Sequence, residues 1–165
     1  MVLLFNRRAG LLLDEPGVVA VQVVYWSSER RGFKTEPMDV RVRAPERPED
    51  EVAWAAIREN LKAYGILIHV PYQTSARGWS LTQENREFFE AFLDEHGESR
   101  YAQHVALSLG RHFMAIAGRR DGVEGVSPAD ARDSARRHLA WAASRGSHAW
   151  LRDQARSWRD ELERQ

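Results

Sequence analysis

Residues 101–118, YAQHVALSLGRHFMAIAG, decide the fold. Tyr101, Val105, Leu109, Phe113 and Ile116 recur at helical spacing, and Leu107 and Met114 carry the apolar surface onto other faces. A helix that is apolar over most of its circumference has to be surrounded, so this one is expected at the centre of a bundle. Its polar groups fall in one stripe: Arg100, His104, Ser108, Arg111 and His112, at spacings of four, four, three and one. The stripe has two readings, a partly buried strip for phosphate or acidic groups and a row that is simply solvated or hydrogen-bonded. A shared metal ion is disfavoured, because at helical rise His104 and His112 lie about 12 Å apart along the axis.

The flanking segments supply the surrounding helices. Upstream, Pro45 and Pro48 break the chain before Glu49-Asp50-Glu51, an acidic start that complements a helix dipole. Ala53, Ile57, Leu61 and Tyr64 then follow at helical spacing up to Gly65. Ile66 to Val70 and Trp79 to Leu81 bracket a polar turn and read as a short hairpin near 66–81. Thr82 is an N-cap for a helix whose apolar face is Phe88, Phe89, Phe92 and Leu93. Downstream, a glycine-rich break from Gly118 to Gly125 precedes Ser127-Pro128, a cap followed by proline at the first helical position. Ala131, Ala135, Leu139 and Ala142 form a small-residue face. Gly146 ends that helix and Ser147 is expected to cap the last one, which buries Leu151, Ala155, Trp158 and Leu162. On its outer face Arg156 and Asp160, Arg159 and Glu163, and Asp160 and Arg164 stand four residues apart, as solvated ion pairs do.

The first 45 residues alternate instead. Val18 to Trp26 and Phe33 to Arg43 read as the two arms of a hairpin, with Met38, Val40 and Val42 inward and Asp39, Arg41 and Arg43 outward. Residues 2–5 and Leu11-Leu12-Leu13 are candidates for a further strand. The expected architecture is α+β: an N-terminal antiparallel β-hairpin or small sheet packed on a C-terminal bundle of about five helices. With no repeat and no low-complexity linker, 1–165 is expected to be a single domain, mainly β over 1–45 and mainly helical over 49–165.

Composition narrows the function classes. There is no cysteine, which removes disulfides and thiolate zinc sites. No apolar run approaches the roughly 18 residues that span a bilayer. Met1 to Phe5 is broken by Asn6-Arg7-Arg8, so the N-terminus is expected to be a mature strand, and the location cytoplasmic. The formal net charge is zero, although 22 arginines stand against only two lysines, Lys34 and Lys62. That bias has two readings: codon usage, as expected of a bacterial-type protein from a GC-rich genome, and the suitability of guanidinium forks for phosphate and carboxylate recognition. A neutral total means that any contact with nucleic acid is made by a local patch.

Two stretches resemble known families. The segment GILIHVPYQTSARGWSLTQENREFF, residues 65–89, resembles the wing of winged-helix regulators, in which a helix ends at glycine, two short strands follow and a capped helix begins. The resemblance spans residues 49–96 and implies nucleic-acid contact by Arg58, Lys62, Arg77 and Trp79. The two helices that precede a recognition helix in that family are missing here, since residues 1–45 read as strands. Arg132 to His138, RDSARRH, resembles the Arg-x(4–6)-His motif of HEPN ribonucleases, which implies Arg132 and His138 acting on a scissile phosphate. No nucleophile elbow, phosphate-cradling glycine loop, HExxH or dinucleotide fingerprint occurs.

The expected function is therefore that of a small non-enzymatic accessory or regulatory protein that binds nucleic acid or a nucleic-acid-bound protein complex. The candidate contacts are Arg58, Lys62, Arg77, Trp79, Arg100, His104, Arg111 and His112. No catalytic residue, metal or cofactor is assigned, a protein partner is expected and a membrane is not. The alternatives are a protein-binding adaptor or inhibitor anchored by Trp54, Trp79, Trp141, Trp150 and Trp158, and a HEPN-like metal-independent ribonuclease.

Overall fold

A computed structural model describes residues 5–6, 10–11, 16–22, 24–26, 32–60, 81–123, 125–145 and 148–164. The fold is α+β, and the chain divides into two compact units, Met1–Glu46 and Arg47–Gln165. The division falls where alternating patterning gives way to helical patterning.

In the first unit β1 (Phe5–Asn6) pairs antiparallel with β2 (Gly10–Leu11). The expected long hairpin is present, as two successive ladders. Strand β3 (Gly17–Val21) pairs with β6 (Met38–Val42), placing Gly17 opposite Val42 and Val21 opposite Met38. Strand β4 (Val24–Trp26) pairs with β5 (Gly32–Lys34), with Val24 opposite Lys34. Between the ladders one arm has two intervening residues, 22 and 23, and the other three, 35 to 37, so the register slips by one. The slip has a cause in Pro37, which has no N–H to give to a ladder. Gln22 spans the interruption by donating from Nε2 to the Thr35 carbonyl at 2.8 Å. Met38, expected to face inward, is 59% exposed and Val18 is 60% exposed, as a two-stranded ribbon has few neighbours with which to bury a side chain.

In the second unit the described helices are α1 (Pro48–Glu59), α2 (Gln83–His96), α3 (Ala102–Ala117), α4 (Pro128–Ser144) and α5 (Ala149–Glu163). The expected end of α1 at Gly65, the hairpin near 66–81, and Lys62, Arg77 and Trp79 lie outside the described residues, except that Leu81 is seen buried at the start of α2. Thr82 caps α2 by accepting the Asn85 N–H at 3.3 Å, and Ser127 caps α4 by accepting the Asp130 N–H at 3.1 Å. At α5 the N-cap position belongs to His148, whose side chain makes no capping hydrogen bond; the expected helix end at Gly146 and cap at Ser147 lie outside the described residues. The α3–α4 connection turns through Gly122 and Gly125, both at positive φ; a Cβ on Gly122 would run into the Val126 carbonyl.

The sequence placed 101–117 at the centre, and there it lies. Thirteen of the sixteen residues of α3 are buried, enclosed chiefly by α4, with α2 and α5 on other faces. Ala131, Ala135, Leu139 and Ala142 of α4 and Leu151, Ala155, Trp158 and Leu162 of α5 are all buried, as their spacing requires. The surface ion pairs differ from those expected on α5. Glu163 takes a two-pronged contact from Arg136 of α4, at 2.7 and 3.0 Å, and Arg156 turns back to Asp153 at 3.1 Å. A guanidinium fork offered by the neighbouring helix matches both carboxylate oxygens, which a partner on the same helix does less well.

Helix α4 packs tightly against α3 at Gly110, where a Cβ would stand 2.6 and 2.8 Å from the Leu139 side chain. Leu139 is fully buried. Alanine at 110 gains up to about 1 kcal/mol in helix propensity, but overpacking of this kind costs about 1–3 kcal/mol. Gly110→Ala is therefore expected to destabilise the protein in urea unfolding. The double variant Gly110→Ala/Leu139→Ala should lose less than the sum of the two single losses, and strict additivity would contradict the packing described here.

Candidate functional site

The polar centre of the helical unit is built on Asp50, which is fully buried in the first turn of α1. Arg47, immediately before the helix, donates from Nε and Nη2 to its two oxygens, both at 2.9 Å. Arg100, fifty residues farther along, donates from its backbone N–H at 2.7 Å and from Nε at 2.9 Å. These hydrogen bonds, led by that from Arg47, hold the Asp50 carboxyl far below the usual carboxylate range against the opposing effect of burial. Arg47 also donates to the Glu98 carbonyl at 3.0 Å, so the start of α1 is tied to the α2–α3 junction at two points.

A cleft of about 800 Å³ opens over this cluster, lined by Arg47, Ser99, Arg100, Trp141, Arg145 and His148 among others. The donors facing it are unequally used. Arg47 is largely occupied by Asp50, Glu98 and, at 3.1 Å, Glu49. Arg100 spends its N–H and Nε on Asp50, and no bond from its Nη1 or Nη2 is seen among the described residues. Arg145 makes only a 3.8 Å ion pair with Glu98 and stands over the Trp141 ring at 5.8 Å. Ser99 is 94% buried, since its exposure is 6%, and its Oγ has no hydrogen-bond partner among the described residues.

The residues singled out in the sequence are distributed as follows. Arg100 reaches the cleft. His104 lies just behind it, its ring 5.6 Å from that of His148 in an edge-on arrangement. Arg58 is exposed in the last turn of α1. Arg111 and His112 are each 1% exposed and face the interior. The Arg111 guanidinium lies 4.7 Å from the Trp158 ring centroid, and His112 accepts the Leu81 N–H at Nδ1, 3.0 Å away. Arg58, Arg100 and Arg111 thus do not gather on one surface. Nor do Arg132 and His138 gather on one face of α4: Arg132 donates to the Leu162 carbonyl of α5 at 3.4 Å, and His138 stacks flat on Phe113 of α3. Asp50, Arg47, Ser99, Arg145 and His148 were not picked out from the sequence. Asp50 was visible there only as part of an acidic helix start.

Comparison of the chain with protein-family models, with curated protein sequences and with solved structures finds no match. Its function has to be read from its own residues.

Two predictions concern the polar interior. Asp50→Asn removes the buried charge that both arginines address and leaves donors facing donors, which should lower stability by about 3 kcal/mol; a loss under about 1 kcal/mol would show the cluster to be incidental. The second concerns histidine. The pKa values of His104, His112 and His138 are each lowered from 6.5 to about 4, first by burial and then by His148, by Arg86 and Arg119, and by Arg137 and His112 respectively. The unfolded chain takes up these protons near 6.5, whereas the folded chain refuses them until about 4. Stability is therefore complete above that window and falls as pH drops through it. His138→Phe preserves the stack on Phe113 and removes one titrating group. Across the window it should shallow the stability slope, measured by urea unfolding, by up to about 1.4 kcal/mol per pH unit; an unchanged slope would mean His138 does not titrate as its burial demands.

Proposed function

We propose that the chain is a non-enzymatic accessory protein that works by binding a partner protein, with the groove around Trp141 and Arg145 as its docking surface. The observation that carries this reading is an arginine whose guanidinium makes no hydrogen bond among the described residues, set over a half-buried tryptophan in the wall of a cleft that also holds Arg47 and Arg100. Tryptophan and arginine are the residue types that dominate binding energy at protein interfaces, where a rigid aromatic anchor and a planar donor fork gain most from desolvation. Arg136 and Arg156, by contrast, are matched with carboxylates: Arg136 with Glu163 and Asp133, Arg156 with Asp153. A surface of this kind suits specific contact better than bulk attraction to a polyanion.

Direct binding of nucleic acid is the weaker reading. Of the arginines that it draws on, Arg111 is interior and Arg100 is committed in part to Asp50. A nucleic-acid-bound complex would be engaged through its protein component. The ribonuclease reading is weaker again, as Arg132 and His138 address different neighbouring helices.

The test is site-directed photocrosslinking from exposed position 98, in the wall the clefts share with Trp141 and Arg145, in the full chain, against a control probe at exposed Arg156. Crosslinks to one protein are expected from 98 and not from 156, persisting at high salt. Arg145→Glu, at an exposed position that leaves the core alone, should weaken capture about tenfold or more, and Trp141→Ala at least as much. Crosslinks indifferent to both substitutions would overturn the proposal, as would binding to DNA or RNA that falls steeply with added salt.

A further inference from the structure

The cleft over Asp50 does not end at Trp141. A second cleft, about 620 Å³, adjoins it, and the two share Gly97, Glu98, Ser99, Trp141 and Arg145 as a common wall. Charge is sorted between them. Arg47 and Arg100 belong to the first alone, while Glu49, Asp94 and Glu95 belong to the second alone, with Val52 and Leu93 beside them. The common wall holds one charge of each sign, Arg145 and Glu98, in a loose pair at 3.8 Å. The groove is thus basic at one end, acidic at the other, and has in the shared wall an indole ring and a buried Ser99 hydroxyl that has no hydrogen-bond partner among the described residues.

We propose that this groove receives an extended peptide segment of a partner protein that carries a carboxylate side chain and, a few residues along, a basic side chain. The inference rests on the adaptor reading above and specifies the chemistry of its partner. At the basic end a carboxylate meets the unspent Nη groups of Arg100 and the fork of Arg145, the geometry that arginine serves best. The Ser99 hydroxyl supplies a donor or acceptor at the bend between the two ends. Burial without a partner is costly, and a bound peptide's backbone or carboxylate would relieve that cost. At the acidic end a lysine or arginine meets Asp94 and Glu95, and its aliphatic stem lies along Val52, which is 59% exposed, and Leu93. The same sorting works against other occupants. A nucleic-acid backbone that entered at Arg100 and Arg145 would carry its next phosphates onto Glu49, Asp94 and Glu95, and like charges set face to face suppress a wrong partner.

The experiment is fluorescence anisotropy of labelled synthetic peptides with the full chain. Four sets are compared: peptides that pair Asp or Glu with Lys or Arg at varied spacings, all-acidic peptides, all-basic peptides and neutral ones. The paired set should contain binders at least about tenfold tighter than the best of any other set. Two charge reversals at exposed positions then separate recognition from structure. Glu95→Lys should weaken paired peptides and strengthen all-acidic ones, and Arg145→Glu should weaken paired peptides and strengthen all-basic ones; a loss shared equally by all sets would overturn the inference. So would all-acidic peptides binding as tightly as paired ones, or no set binding. If crosslinking from position 98 still captures a protein while no peptide set is preferred, the charge rule fails and the adaptor reading stands. If the crosslinks do not depend on Trp141 and Arg145, the adaptor reading itself fails.

Discussion

Helix α3 is walled in on nearly every face, and it still carries Gln103, Ser108, Arg111 and His112 into the interior. An unmet polar group inside a protein costs of the order of 1–3 kcal/mol; most of these side chains find partners on other elements, although Arg111 Nε and Nη2 and His112 Nε2 have no hydrogen-bond partner among the described residues. Gln103 donates to the Ala142 carbonyl at the end of α4 and accepts the His148 N–H ahead of α5. His112 accepts the Leu81 N–H ahead of α2. Arg111 rests on Trp158 of α5, and burial lowers its pKa against the pull of Glu161. Ser108 alone is answered from within its own helix, by the His104 carbonyl. The polar groups of the central helix therefore fasten the neighbours whose apolar faces enclose it. Hydrophobic burial drives the assembly, and these directional contacts select among the rotations and slides that would bury similar area.

Asp50 extends the same logic to the edge of the bundle. One buried carboxylate receives Arg47 from three residues before it and Arg100 from fifty residues after it, and so joins α1 to the α2–α3 junction. It takes the Arg100 N–H and Nε and leaves the Nη groups to face outward. The structural tie thus orients the donors that make the cleft basic. It also moderates them, because Asp50 and Glu49 offset part of the charge of Arg47 and Arg100.

Much of this fold was legible in the sequence, for a definite reason. Periodicity reports which residues of an element face inward, and α3, α4 and α5 bury the residues their spacing marks. Caps are legible because they are local: Thr82 and Ser127 each satisfy an N–H three residues away. The opposite side of a contact is not local. Nothing near Asp50 announces Arg100, and nothing near Gln103 announces Ala142, 39 residues on. The same limit explains the polar stripe on α3: a helix pattern distinguishes a stripe from a scatter, but it cannot say whether the stripe faces solvent, a ligand or another helix. It explains Glu163 too, whose partner is on α4 and not four residues away on α5. The site suffered most, because the cleft is assembled from four segments, the start of α1, the α2–α3 junction, the end of α4 and the residue before α5.

A chain of zero net charge has no long-range field with which to collect a polyanion. Whatever selectivity it has must come from the arrangement of charges and not from their sum. The groove meets that requirement because Arg100 lines one cleft and Asp94 and Glu95 the other, with the Trp141 ring in the wall they share. A ligand of one sign satisfies one end and is repelled at the other, so pattern matching becomes the condition for tight binding. The interior polar contacts hold this arrangement still. The helices that carry opposite ends of the groove are the ones that Asp50 and Gln103 fasten, and a groove whose charges shifted freely would discriminate little between partners.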